Sequence, residues 1–295
     1  MKVLLTGASG YIGSATLDAL VAAGHDVIGV VRDASKADKV RERGAVAALG
    51  DITDQTFLRD IAATVDGAIH LASPGDQTSA DAEDVAITAI LDGLGQTEKP
   101  FVSTAGIWDH GSGGAITETT PFRAPQITAW RPPITQRVLG AAGVRSSVIS
   151  PATAYGRGDA LLHVITNGPR IGSGEDSLAI IGGGEQHWTN VHVDDLAELY
   201  VLALEKAPAG TYLIGANRTN PTVREITIAA SEAIGLQGRV APEGVAATFE
   251  RLGVLGEALL LDQQVVSAGA QQLGWNPGRP TIIEHLAGSK ASHAA

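Results

Sequence analysis

The chain has 295 residues, of which 44% are hydrophobic, 18% are charged and 36 are glycines, and its formal net charge is −11. This length and apolar content suit one large α/β domain or two unequal ones, and they exclude a disordered or fibrous chain. The acidic balance argues against a nucleic-acid partner, which would require a basic surface. Because the sequence contains no cysteine, disulfides and thiolate catalysis are excluded, and the histidines form no pattern typical of a metal site.

No targeting or membrane segment is predicted. The first residues, Met1–Thr6, are typical of a strand rather than of a signal peptide with separate basic and apolar regions. No apolar run approaches the roughly 18 residues that a membrane span needs. We therefore expect a cytoplasmic protein with no membrane partner.

Apolar runs alternate with helical patterns through the first half of the chain. Six runs are predicted strands: Lys2–Thr6, Asp26–Val31, Ala45–Leu49, Gly67–Ala72, Pro100–Thr104 and Val144–Ser150. The predicted helices lie at Tyr11–Ala23, near Thr56–Thr64, at Ala80–Leu94 and, interrupted by prolines, near Gln126–Ala142. This alternation predicts a doubly wound parallel sheet of the Rossmann type, because right-handed crossovers place helices on both faces.

After Pro151 the pattern changes to that of a smaller C-terminal α/β substrate lobe. Residues 173–185 are glycine-rich and predict a loop or hairpin near the ligand cleft. Further predicted elements are a strand and helix within Val191–Leu204, a strand at Gly210–Ile214, helices at Thr222–Gly235, Val245–Leu252 and Leu260–Leu273, and frayed residues over Gly288–Ala295. We expect residues 1–155, with 186–220 returning to them, to form the dinucleotide-binding domain, and residues 156–185 and 221–295 to form the substrate lobe.

Glycines recur at every third position where the first strand runs into the first helix, in Gly7-Ala8-Ser9-Gly10-Tyr11-Ile12-Gly13. The first glycine permits a tight turn, the second lets the backbone approach a pyrophosphate, and the third allows close packing of helix and strand. The helix N-terminus adds free N–H groups and a positive dipole end. Because this strand–turn–helix context is present, the segment predicts a dinucleotide site that includes Gly7, Ser9, Gly10, Tyr11, Ile12 and Gly13.

The residues that end the second predicted strand bear on the choice between NAD(H) and NADP(H). An NAD site places an acidic residue there, on the ribose 2′-hydroxyl. This chain has Val31, then Arg32 and Asp33. A guanidinium suits the 2′-phosphate of NADP, so we predict NADP(H) rather than NAD(H), while Asp33, one residue late, leaves NAD open.

Further motifs follow the predicted strands in order: Gly50-Asp51, His70-Leu71-Ala72-Ser73, Ser103-Thr104-Ala105-Gly106, Pro151-Ala152-Thr153-Ala154-Tyr155-Gly156 and Val191-His192-Val193-Asp194-Asp195. The series resembles the extended short-chain dehydrogenase/reductase family, the group that includes NAD-dependent epimerase/dehydratases, over nearly the whole chain. The resemblance implies that Asp51 and Ile52 lie near the adenine, and that Leu71, Ala72 and Ser73 line the cofactor. It also implies that Thr104 lies at the hydride-transfer site, that Pro151–Tyr155 borders the nicotinamide, and that His192–Asp195 is structural.

Members of this family usually carry a Tyr-x-x-x-Lys pair on the helix after the fifth strand, in which the lysine lowers the tyrosine pKa so that the phenol protonates the substrate. This chain has only four tyrosines, Tyr11, Tyr155, Tyr200 and Tyr212, and no lysine between Lys99 and Lys206. The tyrosine position falls near Thr128 and the lysine position near Pro132. We therefore predict an atypical member that lacks the usual acid.

Three explanations stay open. In the first, the protein reduces a small carbonyl or imine with another proton donor, for which Asp109, His110 and Tyr155 are candidates, and Thr104 orients the substrate. In the second, the substrate needs no strong acid, as with a protonated imine or a conjugated alkene. In the third, the protein only senses NADP(H) for a partner. A sugar-nucleotide epimerase or dehydratase is a further alternative, and we favour NADPH-dependent reduction because a substrate lobe is present.

Four side chains are candidates for contact with a small-molecule substrate: Trp108, Trp130, Arg131 and Trp188. The tryptophans suit an apolar pocket, and the arginine suits a carboxylate. Relatives often dimerise through the helices after the fourth and fifth strands. We therefore predict a homodimer, although Pro132 and Pro133 are expected to distort the second of these helices.

Overall fold

A computed structural model describes residues 1–158 and 161–293 of the chain. The strands in these residues are β1 (Lys2–Thr6), β2 (Asp26–Val31), β3 (Val46–Leu49), β4 (Gly67–His70), β5 (Pro100–Thr104), β6 (Gly113–Ile116), β7 (Arg145–Pro151), β8 (Thr153–Tyr155), β9 (Arg170–Ile171), β10 (Ser177–Ile181), β11 (Asn190–His192), β12 (Thr211–Gly215), β13 (Val240–Gly244) and β14 (Gln263–Val265). The α-helices are α1 (Tyr11–Ala22), α2 (Ala34–Glu42), α3 (Gln55–Ala62), α4 (Ser79–Leu94), α5 (Arg131–Leu139), α6 (His163–Thr166), α7 (Val193–Lys206), α8 (Val223–Ala233), α9 (Val245–Leu252), α10 (Val254–Leu259), α11 (Gly269–Gln272) and α12 (Ile282–His293). Short 3-10 helices cover Ile107–His110 and Gln126–Thr128.

Seven strands form one parallel sheet in the order β12–β7–β5–β4–β1–β2–β3. The chain moves outward from β1 through β2 to β3 and then returns to the other side of β1 with β4. The predicted doubly wound α/β fold is thus confirmed. The reversal of strand order between β1 and β4 creates the crevice, at the carboxyl ends of the strands, in which such a sheet binds its ligand.

Both faces of the sheet are buried, and alternate residues of β1 point to opposite faces. Val3 and Leu5 pack in the apolar core that includes α1 and α7, whereas Leu4 packs in the core that includes α3 and α4. Because helices cover both faces, the central strands are continuous apolar runs rather than alternating ones. This is why the first strands could be located from sequence.

Short polar side chains fix where several helices begin. Asp33 accepts a hydrogen bond from the backbone nitrogen of Lys36 at 3.0 Å at the start of α2, and Asp54 caps α3 in the same way. Helix α8 begins with a capping box between Thr222 and Glu225. Such caps satisfy N–H groups that lack a partner in the first turn, and each stabilises the helix by about 1 kcal/mol.

A smaller lobe follows the large sheet. The strands β13, β10 and β9 form its sheet, and α6, α8 and α12 pack around a core that contains Tyr155, Ile180 and Ile226. Between its parts the chain returns to the large domain, where β12 pairs with β7 and α7 packs against α1. Across residues 1–158 and 161–293, no helix is long and apolar enough to cross a membrane.

Of three predictions for the C-terminal half, two are wrong and one is confirmed in part. Residues 260–273 are not a helix, because β14 pairs with β6 and only the short α11 follows. The loop or hairpin predicted at residues 173–185 is in part a hairpin, because β10 pairs antiparallel with β9 across the turn, and the largely buried β10 also pairs with β13. The predicted fraying begins too early, since α12 continues to His293, and Ala294 and Ala295 lie outside the described residues.

The two prolines do not interrupt a helix as expected. They occupy the first turn of α5, where the backbone N–H has no partner within the helix in any case and the fixed proline φ suits the helix. Helix α5 is therefore regular at this point. A homodimer through α4 and α5 stays a prediction.

Candidate cofactor and substrate site

The glycine loop between β1 and α1 is packed so tightly that two of its glycines have no room for a side chain. Gly7 has a φ of +71°, and a Cβ on it would lie 2.8 Å from the backbone nitrogen of Ala72. A Cβ on Gly13 would lie 1.9 Å from the carbonyl oxygen of Gly7. The loop therefore lies against both the end of β4 and the first turn of α1, which is the packing that a dinucleotide-binding turn requires.

Helix α1 begins at this loop with Gly10 as its N-cap, and no side chain of the described residues caps it. Its first N–H groups are thus left for a ligand, and the helix dipole places partial positive charge beside them. The Tyr11 hydroxyl donates to the carbonyl oxygen of Gly156 at 2.6 Å. This side chain therefore joins the first turn of α1 to the segment after β8.

A cleft of about 370 Å³ opens at the carboxyl ends of β1, β2, β3 and β4, and we call it the cofactor cleft. Nine of the predicted cofactor residues line it: Gly7, Ser9, Gly10, Arg32, Asp51, Ile52, Leu71, Ala72 and Ser73. The other four predicted residues, Tyr11, Ile12, Gly13 and Pro151, are outside this lining, and Ile12 packs against the apolar core instead. Gly13 acts through the loop packing described above.

Two basic side chains, Arg32 and Lys36, line the part of the cofactor cleft beyond β2. Asp33 does not share this lining, because its carboxylate accepts hydrogen bonds from the Ser35 hydroxyl at 2.7 Å and from the backbone nitrogen of Lys36 at 3.0 Å. These bonds hold the pKa of Asp33 below its usual value. Asp33, the acidic side chain that could have bound the ribose 2′-hydroxyl of NAD, therefore caps α2 instead.

Two carboxylates also line the cofactor cleft. Asp51 accepts bonds from the backbone and hydroxyl of Thr53, and Asp76 does the same with Thr78. These bonds, together with the positive charge of Arg32, lower the pKa of both carboxyls. Both are therefore ionised at neutral pH, and the attraction of this end of the cleft for a phosphate depends on its two cations together.

A buried polar chain lies beneath the cofactor cleft and joins β1, β4 and α4. The hydroxyl oxygen of Thr6 accepts the backbone N–H groups of Leu71 and Ala72 at 3.1 and 3.3 Å. Its own proton therefore goes to Nδ1 of His70, 2.7 Å away, and Nε2 of the same ring donates to Glu83 at 3.1 Å. The chain fixes the orientation of the His70 ring and holds the end of β4 against the glycine loop.

The hydroxyl of Thr104 is also fully engaged as a donor. It donates to the backbone oxygen of His70 at 2.8 Å, and it lies 2.9 Å from the hydroxyl of Tyr200. Because a threonine hydroxyl has one proton, the Tyr200 hydroxyl is the donor in the second contact. Thr104 can therefore accept a bond from a ligand but has no proton left to give to a substrate oxygen.

A second cleft, of about 550 Å³, adjoins the first, and Ser73 and Asp76 line both. We call it the substrate cleft. Its apolar wall includes Trp108, Ile127, Trp130 and Val254, and Arg131 and Thr128 add polar groups. The Arg131 guanidinium lies 4.8 Å from the ring centre of Trp130, within the range of a cation–π contact. Three of the four predicted substrate residues thus meet in one cleft.

Asp109 lies buried beside this cleft. Its side chain is fully buried, and its Oδ1 lies 3.5 Å from Nη1 of Arg131. Burial raises the pKa of Asp109 to about 6, because the ionised form loses its hydration, while the nearby Arg131 charge and Thr128 hydroxyl hold the pKa lower than burial alone would. Asp109 therefore remains a candidate proton donor, because it lies beside the substrate cleft and its raised pKa favours the acid form.

His110 is committed to structural contacts, contrary to the expectation of a proton donor. Its Nδ1 lies 3.0 Å from the carbonyl oxygen of Thr120, so this nitrogen carries the proton, and its Nε2 accepts from the Tyr212 hydroxyl at 3.0 Å. Burial lowers its pKa and so favours the neutral ring. The single ring proton is therefore held by a backbone oxygen.

Tyr155 and Trp188, which were predicted to lie at the site, are also held in structural contacts. Tyr155 is buried in the core of the smaller lobe, and its hydroxyl donates to the carbonyl oxygen of Pro280 at 2.6 Å. Trp188 is also buried in that core, with its indole N–H donating to the carbonyl oxygen of Leu259 at 3.0 Å. Neither side chain lies in the wall of the substrate cleft, because both are held by contacts with distant parts of the described chain.

Comparison with known proteins bears on this arrangement. Residues 3–97 and 133–215 match the NAD dependent epimerase/dehydratase family. An uncharacterized protein of Schizosaccharomyces pombe is 32% identical over 295 residues, which cover 97% of this chain and 98% of that one. The chain belongs to the NAD-dependent epimerase/dehydratase family. This membership confirms the predicted resemblance and supports an NAD(P)-dependent oxidoreductase.

Other members of the epimerase/dehydratase family extend the comparison. A UDP-glucose 4-epimerase of Streptomyces lividans is 27% identical over 95% of this chain and 93% of its own. A human epimerase family protein, whose crystal structure contains NADPH, has a TM-score of 0.74, 20% identity and 99% coverage of each chain. This structural likeness shows that the fold is shared along the whole length of the chain.

Three parts of the site were missed from the sequence of this family member. Lys36 lies one turn beyond Arg32, and its position on the first turn of α2 was the available signal. Thr128 lies near the predicted place of the missing tyrosine, and nothing in the sequence pattern indicates that it lines a cleft. The chain of Thr6, His70 and Glu83 had no local signal, because its members lie 64 and 13 residues apart.

Proposed function

We propose that the protein is an NADPH-dependent reductase of a small carbonyl or imine compound. The observation that carries this proposal is the continuity of the two clefts, since Ser73 and Asp76 line both. A dinucleotide seated on the glycine loop and extending past Ser73 would bring its nicotinamide to the mouth of the substrate cleft. Hydride transfer needs such an approach, to about 3–3.5 Å between the reacting atoms.

The preference for NADPH rests on Arg32 and Lys36. A guanidinium binds a phosphate through two parallel hydrogen bonds, and an ammonium adds a mobile positive charge. The carboxylate of Asp33, which would favour NAD, is engaged in capping α2. The presence of NADPH in the crystal structure of the human relative is consistent with this preference.

The absence of the usual Tyr–Lys pair favours reduction over epimerisation. An epimerase must first oxidise a substrate hydroxyl, for which a base has to accept the hydroxyl proton, and the usual Tyr–Lys pair is absent from this sequence. Reduction needs only a proton donor, or none if the substrate is already protonated. The tryptophans of the cleft suit a substrate with a flat or apolar body, and Arg131 suits an anionic or electron-rich group on it.

The test is consumption of NADPH with a panel of aldehydes, ketones and imines, including 4-nitrobenzaldehyde, ethyl acetoacetate and 1-pyrroline. We expect turnover of at least one of these compounds, at a lower cofactor KM for NADPH than for NADH. Tight NADPH binding without turnover of any compound would instead support the sensor function. Interconversion of UDP-glucose and UDP-galactose without net loss of NADPH would support an epimerase.

A further inference from the structure

We propose that Thr128 and Asp109 together form the proton donor of this reductase, with Thr128 giving a proton to the substrate oxygen and Asp109 restoring it. The inference rests on the proposed function and names the group that takes the place of the tyrosine–lysine pair. Thr128 is the residue that touches substrate, and Asp109 supplies it from behind the wall of the cleft.

The first argument is a group of buried polar atoms that lack partners. Both carboxylate oxygens of Asp109 and the hydroxyl oxygen of Thr128 are buried, and within the described part of the chain none of the three makes a hydrogen bond of normal geometry. Buried polar atoms without partners are rare in proteins, and each calls for an explanation. Because the Thr128 hydroxyl is itself buried, a substrate oxygen reaches it only when side chains of the cleft wall move on binding, and that oxygen then supplies the partner that the hydroxyl lacks.

The second argument is position. Thr128 lines the substrate cleft and ends the 3-10 helix that precedes α5, near the place where the family resemblance predicts the tyrosine. Arg131, the first residue of α5, lies 3.5 Å from Asp109. Its guanidinium is therefore placed to stabilise the carboxylate that remains after the proton has left.

The third argument is elimination among neighbouring groups. The Thr104 proton is given to the backbone oxygen of His70, the His110 proton is held by the carbonyl oxygen of Thr120, and Tyr155 lies in the core of the smaller lobe. Of the predicted acids, only Asp109 has a carboxyl beside the substrate cleft whose oxygens make no hydrogen bond of normal geometry within the described residues.

The step balances as an ordinary carbonyl reduction. Hydride moves with its electron pair from C4 of NADPH to the carbonyl carbon, and the π electrons of the C=O bond move to oxygen. The Thr128 O–H bond breaks as the new alcohol O–H bond forms, and the Asp109 O–H bond breaks as the Thr128 hydroxyl is restored. The products are the alcohol and NADP⁺, and the Asp109 carboxylate then takes up one proton from solvent.

The charge environment of Asp109 suits this role. Burial raises its pKa to about 6, so that about a tenth of the molecules carry the acid form at pH 7. Arg131 on α5, the Thr128 hydroxyl and the Gly106 backbone act on Asp109, and the Asp109 charge acts in turn on Tyr212 of β12. Glu118 acts on Tyr212 and on His110, the next residue in the chain. An acid with a pKa near the working pH is an effective proton donor.

The experiment measures kcat against pH from 5 to 8.5 with NADPH and the fastest compound of the panel above. For the wild type we expect a plateau below about pH 6 and a roughly tenfold fall per pH unit above it, because the acid form is needed. Asp109→Asn and Thr128→Val should each lower kcat by about 100-fold or more and remove the pH dependence, while the Kd for NADPH stays unchanged. Thr128→Ser should retain most of the activity, and the exposed Asp60→Asn serves as the matched control.

Several outcomes would overturn the proposal. A flat wild-type profile, or kcat values for Asp109→Asn and Thr128→Val within about threefold of wild type, would refute the relay while leaving the reductase intact. Absence of turnover despite NADPH binding would refute the proposed function and the relay with it. If Asp109→Asn fails to fold, the comparison of kcat between Thr128→Val and Thr128→Ser tests the relay instead. Infrared spectroscopy of the wild type adds a separate test: a protonated carboxyl band must fade as the pH rises through about 6.

Discussion

Replacement of Asp109 by asparagine should make the protein more stable at neutral pH, and the gain should depend on pH. Below pH 3.8, the ordinary pKa of an aspartate, Asp109 is protonated in both the folded and the unfolded chain. Between 3.8 and about 6 the unfolded chain releases this proton before the folded one does. The folded state therefore loses stability over this window, and the loss is complete above it.

The magnitude follows from the two pKa values. The gap between 3.8 and about 6 corresponds to about 3 kcal/mol. Asparagine is neutral throughout, so the difference in unfolding free energy between Asp109→Asn and wild type should increase by about 2.4 kcal/mol from pH 4 to pH 7, since about a fifth of the full effect is already present at pH 4.

Urea denaturation at several pH values measures this difference, and subtraction of the wild-type curve cancels the other titrating groups that the two proteins share. Asp60→Asn is the control, because the Asp60 side chain is 64% exposed and should show a difference near zero at every pH. A difference for Asp109→Asn that stays constant within about 0.5 kcal/mol, or that decreases as the pH rises, would refute the assigned pKa and its cause.

The remaining predictions concern the cofactor and the lobe contacts. In fluorescence titrations, Arg32→Ala and Lys36→Ala should each raise the Kd for NADPH about tenfold, because each removes a charge-assisted bond to the 2′-phosphate. The Kd for NADH should stay nearly unchanged. Lys39 is an exposed lysine of the same helix as Lys36, and Lys39→Ala should change neither Kd. Gly13→Ala should abolish binding of both cofactors, since its Cβ would lie 1.9 Å from a loop carbonyl oxygen; retained binding would contradict the tight loop. Asp195→Ala should lower the unfolding free energy by about 1–3 kcal/mol in urea, because the buried carboxylate accepts bonds from the backbone N–H groups of Gly278 and Arg279 and from the Arg279 guanidinium, and these donors lose their partner. Arg279 keeps its ion pair with Glu198, and a loss under about 0.5 kcal/mol would contradict this anchoring role.

The sheet could be predicted from sequence because its central strands are covered on both faces. Continuous apolar runs such as those of β1 and β2 indicate strands without any knowledge of their partners. The segment from Leu260 to Leu273 lacks such a signal. Its apolar spacing is helical, but pairing with β6, more than 140 residues earlier in the chain, makes part of it a strand.

The cofactor residues could likewise be predicted from local sequence signals, whereas the proton donor could not. The cofactor residues follow strand ends within a few positions, so a glycine spacing or a charged residue there is informative by itself. Whether a predicted proton donor is available depends on contacts with distant residues. Tyr155 bonds to Pro280, 125 residues away, and His110 bonds to Tyr212, 102 residues away. Titratable residues near a strand end could therefore be listed from sequence, but only tertiary packing showed which one keeps an unengaged oxygen.

Transfer of deuterium from NADPH labelled at C4 is the most direct test of the central claim, hydride transfer from NADPH to a substrate in the adjoining cleft. The protein is incubated with each stereospecifically labelled cofactor and the panel of aldehydes, ketones and imines, and the products are analysed by mass spectrometry and NMR. We predict deuterium on the former carbonyl or imine carbon from one of the two labelled forms. Tight NADPH binding with no deuterium in any compound of the panel would contradict the account.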